Sequence, residues 1–255
     1  MNPKDHDLEQ ITLAQQIIKS SKNLICFTGA GISTPSGIPD FRTPGSGEWT
    51  KTDPMKVASL TAFKYRPQQF FTWLKPLVKN SLAAKPNPAH SSLAALEELG
   101  VLKCVVTQNI DGLHQLAGSK NVIELHGTLH TLSCLRCGNQ FATKDILLPV
   151  LESDALPICP NCKAILKPDI VLFEEALPND AWNTAQDYFE SSDAIIICGS
   201  SLEVYPAALL PLQAAKKGAS VILINYSTTQ MDQIAKICFH DDVAVILPKI
   251  LGGLL

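Results

Sequence analysis

The apolar positions of the chain fall into two kinds of run that alternate along most of its length. Apolar residues recur at helical spacing in ITLAQQIIKSSKN, HSSLAALEELG and PAALLPLQAAKKG. Between these stretches lie short, continuous apolar runs, which are typical of strands buried on both faces: LICFT, LKCVVTQN, SDAIIICGS and SVILINYS. This alternation predicts an α/β fold with a doubly wound, Rossmann-like parallel sheet that binds its ligand at the carboxyl ends of the strands.

Two segments interrupt the alternation. The first, from residue 43 to about residue 86, is rich in Pro, Gly and aromatic residues, and the second, from residue 127 to about residue 168, contains four paired cysteines. Both are predicted to leave the sheet and return to it as insertions that form a smaller lobe. The predicted large domain is therefore discontinuous and consists of residues 1–44, 87–126 and 169–255. The smaller lobe consists of residues 45–86, a helical module, and residues 127–168.

The overall charge and hydropathy exclude several classes of partner. The net charge is −3, so no basic field favours nucleic acid. No apolar run reaches the ~18 residues of a membrane span, and the first ten residues are too charged for a signal peptide. The eight cysteines do not form a disulfide pattern, since four of them lie in apolar runs typical of buried thiols. We predict a cytoplasmic protein, acting as a monomer, that binds neither nucleic acid nor membrane.

The remaining cysteines are the strongest local signal. Cys134, Cys137, Cys159 and Cys162 form two C-x-x-C pairs, and 21 residues separate the second cysteine from the third. Each pair makes a tight turn that directs two thiolates at one point, and two such turns complete a tetrahedral site for zinc. Four thiolates leave no open position, so the predicted metal is one structural zinc ion in a zinc-ribbon insertion. The alternative is two redox pairs or reduced surface thiols.

A glycine turn follows the first predicted strand. The stretch TGAGISTPSGIPDFR places Gly29 and Gly31 where a strand-to-helix turn binds phosphate, but Thr34 replaces the third glycine of the dinucleotide fingerprint. The acids found about 20 residues further on, Glu48 and Asp53, lie in the Pro- and Gly-rich insertion instead of at a strand end. This pattern disfavours a plain nicotinamide dehydrogenase. A tight turn with glycine for packing is the structural alternative.

Polar groups follow the other predicted strands at the same edge of the sheet. A histidine, His126, lies between Leu125 and Gly127 just before the cysteine insertion, in a position where a buried core histidine is the commoner explanation. Its neighbours favour a catalytic interpretation, because amide, acid and hydroxyl groups are expected at adjacent strand ends. These groups belong to Gln108, Asn109, Asp111, Gly199, Ser200, Ser201 and Asn225.

Taken in order, these motifs resemble the sirtuins, the NAD-dependent protein lysine deacylases. The resemblance covers nearly the whole chain and rests on GAGIS, SGIPDFR, TQNID, LHG, the two C-x-x-C pairs, GSSLEVYPA and IN. It also includes KPDIVLFEE, where the family usually has RPxVVxFGE. The resemblance implies that nicotinamide is cleaved from ribose and that the acyl group of lysine is transferred to ADP-ribose.

The resemblance assigns roles to single residues. His126 is implied as the general base that takes a proton from a ribose hydroxyl, with Asn109 as its catalytic partner. The turn at Ala30 and Gly31 is implied to bind pyrophosphate. Further NAD contacts are implied for Gly29, Ser33, Ile38, Asp40, Phe41, Arg42, Gln108, Asn109, Ile110, Asp111, Gly199, Ser200, Ser201, Asn225, Tyr226, Ser227 and Val243.

The implied partner is an acyl-lysine protein or peptide that adds a strand between the two lobes. Val171, Phe173, Glu174 and Val204 are the implied substrate contacts. Glu174 departs from the family, which has glycine at this position. We expect that change to weaken substrate pairing or to favour basic peptides.

The same resemblance implies which acyl groups fit. The sirtuins that remove succinyl and malonyl groups carry a tyrosine and an arginine on one helix, and our alignment places Leu74 and Leu77 at those positions. Lys75 and Lys79 are expected to be solvated. We therefore expect neutral acyl chains, with acetyl as the default.

Three other functions remain open from the sequence. The site could transfer ADP-ribose to protein, or the chain could be a non-catalytic NAD or ADP-ribose binding module. A zinc alcohol dehydrogenase is the third alternative, but its catalytic metal needs an open coordination position.

Overall fold

The computed structural model describes residues 3–40, 47 and 52–254, with side chains from residue 8 onward. Within these ranges the chain begins with helix α1 (Pro3–Ser20) and enters strand β1 (Leu24–Thr28). Helices α2 (Pro54–Val57), α3 (Leu60–Tyr65) and α4 (Pro67–Ala83) form the first insertion. Helix α5 (Pro88–Glu98) returns the chain to strand β2 (Leu102–Thr107), helix α6 (Leu113–Leu116) and strand β3 (Val122–Glu124).

The second insertion and the rest of the sheet follow. Strands β4 (Gly127–Ser133) and β5 (Gln140–Ala142), helix α7 (Thr143–Ile146) and strand β6 (Lys167–Ile170) contain the paired cysteines between them. The chain then passes through helix α8 (Asn179–Ser191), strand β7 (Ala194–Cys198), helix α9 (Leu209–Lys216) and strand β8 (Ser220–Ile224). Strand β9 (Ile237–Phe239) and helix α10 (Val243–Gly252) complete the described fold.

The strands form two sheets. In the described residues, six parallel strands have the order β3-β2-β1-β7-β8-β9, and a small antiparallel sheet has the order β5-β4-β6. The order of the large sheet reverses between β1 and β7, and such a reversal opens a crevice at the carboxyl ends of the strands. The prediction of a doubly wound parallel sheet is therefore confirmed.

Apolar residues cover both faces of the large sheet. Ile25 and Phe27 of β1 face one hydrophobic cluster with Phe189 of α8, whereas Leu24 and Cys26 face the other with α1, α5 and α10. This explains why the strands read as continuous apolar runs. The two insertions share a third cluster, in which the phenylalanines of α3 and α4 pack against β4, β6 and two of the paired cysteines. We propose that this third cluster is the core of the smaller lobe, with the residue boundaries given above.

Helix α4 differs from the sequence-based alignment. It has Pro76 in its interior and ends at Ala83. Leu74 is completely buried in the third cluster, so its assignment to the acyl-binding surface was wrong. Leu77 does line the cavity described below, together with Trp73 one helical turn earlier. None of the described helices is long and apolar enough to cross a membrane.

Candidate active site

A cavity of about 630 Å³ lies where the two insertions meet the carboxyl edge of the large sheet. This volume is typical of a site for a small molecule or cofactor. The sequence-predicted residues that line it are Ala30, Ser33, Ile38, Gln108, Asn109, Ile110, Asp111, His126, Val171, Phe173, Glu174 and Val204. The structure thus brings together residues from four separate strand ends and from the returning segment after β6.

His126 lies at the junction of the two sheets. It follows β3 of the large sheet and precedes β4 of the small sheet, and its carbonyl accepts a hydrogen bond from Val171 N at 2.8 Å. Its Nδ1 lies 2.9 Å from the backbone carbonyl of Gln108. A carbonyl only accepts hydrogen bonds, so Nδ1 carries the proton and Nε2 keeps its lone pair. In this tautomer the half-buried ring can accept a proton at Nε2.

Close backbone packing fixes the position of His126. Gly127 adopts a left-handed φ of 72°, and a Cβ at this residue would lie 2.0 Å from the carbonyl oxygen of Asp169. Glycine is therefore required where β4 approaches β6, directly beside the histidine. This glycine thus serves close contact between the two strands.

Asn109, Asp111 and Ser33 form a buried polar network. The Ser33 hydroxyl donates to Asp111 Oδ2 at 2.7 Å and accepts from Asn109 Nδ2 at 3.1 Å. Asp111 Oδ1 accepts from the backbone amide of Leu113 at 2.9 Å. These bonds compensate the cost of burying a carboxylate and connect the turn after β1 to the loop after β2.

His130 supports the same loop from β4. Its Nε2 lies 3.1 Å from the backbone carbonyl of Asp111 and donates to it. A Cβ at Gly112 would lie 2.1 Å from that Nε2, so the loop needs glycine beside this ring. The sequence reasoning did not identify His130, since its contact depends on the pairing of distant segments.

The predicted glycine turns contact each other. Gly29 N donates to Cys198 O at 3.1 Å, and Gly31 N donates to Gly199 O at 2.8 Å. A Cβ at Gly31 would lie 2.7 Å from Gly199 Cα, so both turns need glycine to approach. Beside them, Gln108 Nε2 donates to the buried Ser200 hydroxyl at 2.8 Å, and Ser201 follows at the surface. The amide of Gly31 is therefore engaged in the fold and not available to a phosphate.

A second group of predicted residues lies beyond β8, outside the residues that line the cavity. Asn225 Nδ2 donates to Ser227 O at 2.7 Å, which shapes this turn. Tyr226 is 63% exposed, and burial together with Asp242 raises the pKa of its hydroxyl. The side chain of Val243 is buried in the core, so only its backbone could face a ligand.

The loop after Asp40 carries two more predicted residues. Asp40 is half-buried at the end of the first described range, whereas Phe41 and Arg42 lie outside the described residues. Their predicted contacts with ribose stay predictions.

Helix α4 contributes an apolar wall that the sequence reasoning identified only in part. Trp73 and Leu77 line the cavity with Leu129 and Ile170. Spacing of four residues along a helix was the available signal for Trp73. The lysines of this helix are directed away from the cavity. The expectation that both are solvated was wrong for Lys75, which is buried and donates to Ala155 O at 2.8 Å, whereas Lys79 is exposed and pairs with Glu152.

The four paired cysteines converge. Their sulfur atoms all lie within 4.8 Å of one another, with 3.3 Å between Cys134 and Cys162 and 3.7 Å between Cys137 and Cys159. Sulfurs on a tetrahedron with ~2.3 Å Zn–S bonds are about 3.8 Å apart. A disulfide would bring two sulfurs to ~2.05 Å. The cluster therefore fits one zinc ion with four thiolate ligands and no open position.

A pair of buried histidines lies beneath the site. The rings of His90 and His114 are 4.9 Å apart, and His114 Nε2 lies 3.0 Å from the Thr28 hydroxyl. Burial lowers the pKa of His90 to about 4, despite an opposing effect of Asp111, and lowers that of His114 to about 3. Among the described residues, His90 Nε2 and His114 Nδ1 have no hydrogen-bond partner. Both histidines are therefore neutral in the folded protein near pH 7.

Comparison with known proteins gives one consistent family. A model described as the Sir2 family matches residues 29–206. The NAD-dependent protein deacetylase of Saccharolobus solfataricus is 44% identical over 94% of this chain and 94% of its own length. The NAD-dependent protein deacylase 2 of Archaeoglobus fulgidus is 42% identical over 95% of each chain.

Solved structures agree with these relatives. A Sir2 protein bound to a deacetylated p53 peptide and 3'-O-acetyl ADP-ribose superposes with a TM-score of 0.90. The two are 39% identical, and the match covers 95% of this chain and 98% of the other. At this identity the likeness extends beyond the fold to the family.

We predict that the cysteine cluster stabilises the small lobe through zinc. Cys137→Ala and Cys162→Ala should each reduce bound zinc from about one ion per chain to near zero, because three thiolates bind less tightly. Loss of the ion should lower the melting temperature and activity together, although neither cysteine lines the cavity. Metal analysis and thermal unfolding measure this, with Cys238→Ala as a thiol control outside the cluster. A zinc-free variant with unchanged melting and activity would contradict the prediction.

We also predict that the buried histidines make the fold sensitive to acid. Their folded-state pKa values, about 4 and about 3, lie below the ordinary value of 6.5. Between those values only the unfolded chain binds the proton, so stability falls as the pH drops from about 6.5 towards 3. Each histidine contributes a slope of up to about 1.4 kcal/mol per pH unit.

The variant His114→Asn tests this slope in chemical denaturation at a series of pH values. This variant should weaken the fall in the free energy of unfolding as the pH drops below about 6.5. The control is His240→Asn, at a partly exposed histidine paired with Asp232. An unchanged slope in His114→Asn would show that this histidine is not buried in its neutral form.

Proposed function

The chain belongs to the Sir2 family, and from this premise we propose that it removes acyl groups, acetyl first, from protein lysines in an NAD-dependent reaction. One observation carries the proposal: His126 is held in a single tautomer by the Gln108 carbonyl on the wall of a cavity that also contains Asn109 and Asp111. In the overall reaction, acyl-lysine, NAD and water give lysine, nicotinamide and O-acyl-ADP-ribose.

The residues present fit NAD as the second substrate. When bound, NAD supplies the ADP-ribose that accepts the acyl group as nicotinamide leaves. Ala30, Ile38 and the network of Ser33, Asn109 and Asp111 would surround the nicotinamide end, because these residues share the cavity with His126. The contact between Gly31 and Gly199 holds the two turns in place, so pyrophosphate would bind beside this contact through Ala30 and not through the Gly31 amide.

His126 would act as the general base. With Nδ1 donating to Gln108 O, Nε2 is the ring nitrogen that can take a proton from a ribose hydroxyl. The rigid junction of β3 and β4 would keep the ring in place during transfer.

The lysine-containing peptide would add a strand beside residues 171–174. Phe173 already uses both its backbone groups, since its N donates to Ala58 O at 3.1 Å and its O accepts from Leu60 N at 3.0 Å. On the opposite edge Leu172 is engaged as well, since its N donates to Glu175 Oε2 at 2.9 Å and its O accepts from Glu175 N at 3.0 Å. The peptide would therefore pair with the backbone at Glu174 and with the loop at Val204. The apolar stem of lysine would pass Val171 and Phe173 into the cavity.

Two further proposals concern the cellular compartment and the oligomeric state of the enzyme. We propose that the enzyme is a monomer and works in the cytoplasm. The second proposal is supported by the eight cysteines of the described residues, none of which is in a disulfide, as suits a reducing compartment. ADP-ribosyl transfer to protein and a non-catalytic NAD-binding role are the alternatives, and both lack a use for the fixed tautomer of His126.

Removing the base separates binding from turnover. His126→Ala should lower kcat for an acetyl-lysine peptide by about 10²–10⁴-fold or more, because the lost group acts in proton transfer. The Kd for NAD, measured by calorimetry, should change only slightly. Deacetylation at the wild-type rate by this variant would refute His126 as the base.

The cavity should prefer neutral acyl groups to acidic ones. Among the described residues that line it, none is lysine or arginine, and the charged carboxylates are Asp111, Glu174 and Glu175. A succinyl carboxylate would face these acids and the apolar wall at Leu77, and burying an unpaired charge there costs several kcal/mol. Deacetylation should therefore exceed desuccinylation of the same peptide by at least about 100-fold.

A substitution of the wall tests that preference. Leu77→Arg should narrow the gap between acetyl and succinyl peptides, whereas Leu77→Met, which keeps the volume and neutrality, should not. Comparing kcat/KM for both peptides gives the measurement. A wild-type preference for succinyl-lysine over acetyl-lysine would contradict the prediction, because it would require a cation that faces the acyl group.

A further inference from the structure

The backbone of Glu174 is strained. This residue has a φ of 75°, in the left-handed region that favours glycine. Of the described non-glycine residues, only Lys163 and Leu202 share a positive φ. Such a conformation persists where surrounding contacts hold it, and it is concentrated at functional sites. The sirtuins that the chain resembles have glycine at this position, and the side chain of Glu174 makes a contact that glycine cannot make.

That contact reaches the helical module. Glu174 Oε2 accepts a hydrogen bond from the backbone amide of Thr61 at 2.8 Å, in the first turn of α3. The next amide of the same turn, Ala62 N, donates to Ser59 Oγ at 3.0 Å. The first turn of α3 is thus capped by its own serine and by a carboxylate from the other side of the cavity.

Backbone pairing strengthens the same junction. Ser59 and Phe173 form a parallel bridge, with the Ala58 and Leu60 hydrogen bonds given above. Ala58, Phe173 and Glu174 all line the cavity. Helix α2 directly precedes this junction.

We propose that Glu174 is a positioning residue that couples peptide binding to NAD binding. The inference rests on the proposed function, because it takes residues 171–174 as the edge that pairs with the peptide. A peptide that orders this edge also fixes Glu174, and through Thr61 N it fixes the start of α3. Through the Ala58 and Leu60 hydrogen bonds it fixes a wall of the cavity that NAD would share. The coupling is reciprocal, so NAD strengthens peptide binding by the same factor.

This role differs from selection of basic peptides by charge. The carboxylate oxygen is directed at Thr61 N, so its charge is shared with a helix N-terminus instead of being presented to the peptide. The two roles separate by variant: glutamine keeps an oxygen acceptor for Thr61 N but loses the charge, whereas alanine and glycine lose both.

The experiment compares Glu174→Gln, Glu174→Ala and Glu174→Gly with wild type. Initial rates are measured while the concentrations of NAD and of acetyl-lysine peptide are both varied. They give one KM for NAD at low peptide and one at saturating peptide. The ratio of these two KM values measures the coupling. Calorimetry of peptide alone and of NAD alone provides binding constants without turnover. The glycine variant keeps the backbone free of strain, so a folding defect in Glu174→Ala does not decide the outcome. Glu98→Ala, at an exposed acid on α5, is the control for loss of a surface charge and should leave the coupling unchanged.

We expect the coupling ratio to fall by about fivefold to tenfold in the alanine and glycine variants, as for the net loss of one ordinary hydrogen bond at an exposed residue. Glutamine should retain most of the coupling, and the preference between basic and acidic peptides should stay the same in every variant. Equal losses in glutamine and alanine, a shift in peptide preference, or full coupling in alanine and glycine would each overturn the proposal. A wild-type protein that binds both substrates without deacetylation would instead refute the proposed function.

Discussion

The turns after β1 and β7 approach each other so closely that both need glycine. Gly31 N bonds to Gly199 O, and a Cβ at Gly199 would lie 2.2 Å from Ile32 N. This contact occurs where the strand order of the large sheet reverses, so it defines the floor of the crevice. Ser33 follows within the same turn and binds Asn109 and Asp111, which brings the β2 loop to the site. A side chain at either glycine would separate these turns and with them the polar network.

The second constraint is the passage of the chain from one sheet to the other. Strand β3, at one edge of the large parallel sheet, ends at Glu124. After two intervening residues the small antiparallel sheet begins at Gly127, with His126 directly before it. The histidine is consequently held on two sides, by the Gln108 carbonyl and by the backbone amide of Val171. Zinc acts at a distance in this arrangement, because the cysteine cluster packs in the core that supports β4 and β6. We infer that the metal stabilises the geometry of the base without approaching the reaction.

The sequence predicted those features that depend on local pattern. Continuous apolar runs gave the strands of the doubly wound sheet, and paired cysteines gave the metal cluster, because each signal lies within a few neighbouring residues. Contacts between distant segments were not predictable in this way. Gly31 was interpreted as a phosphate ligand, but its amide bonds to Gly199 across the switch point. Leu74 proved to be core because its side chain packs in the third hydrophobic cluster. The sequence showed that Glu174 replaces the glycine of the family. It did not show the hydrogen bond from Thr61 N to this side chain, because that bond joins two segments far apart in the chain.

The central claim is that the acyl group is transferred from lysine to ADP-ribose and not to water. The direct measurement is mass spectrometry of one reaction that contains NAD and a peptide whose acetyl group on lysine is isotopically labelled. We predict equal amounts of nicotinamide, deacetylated peptide and acetyl-ADP-ribose, with the label in the nucleotide product. Label released first as free acetate, or ADP-ribose attached to the peptide, would contradict the account.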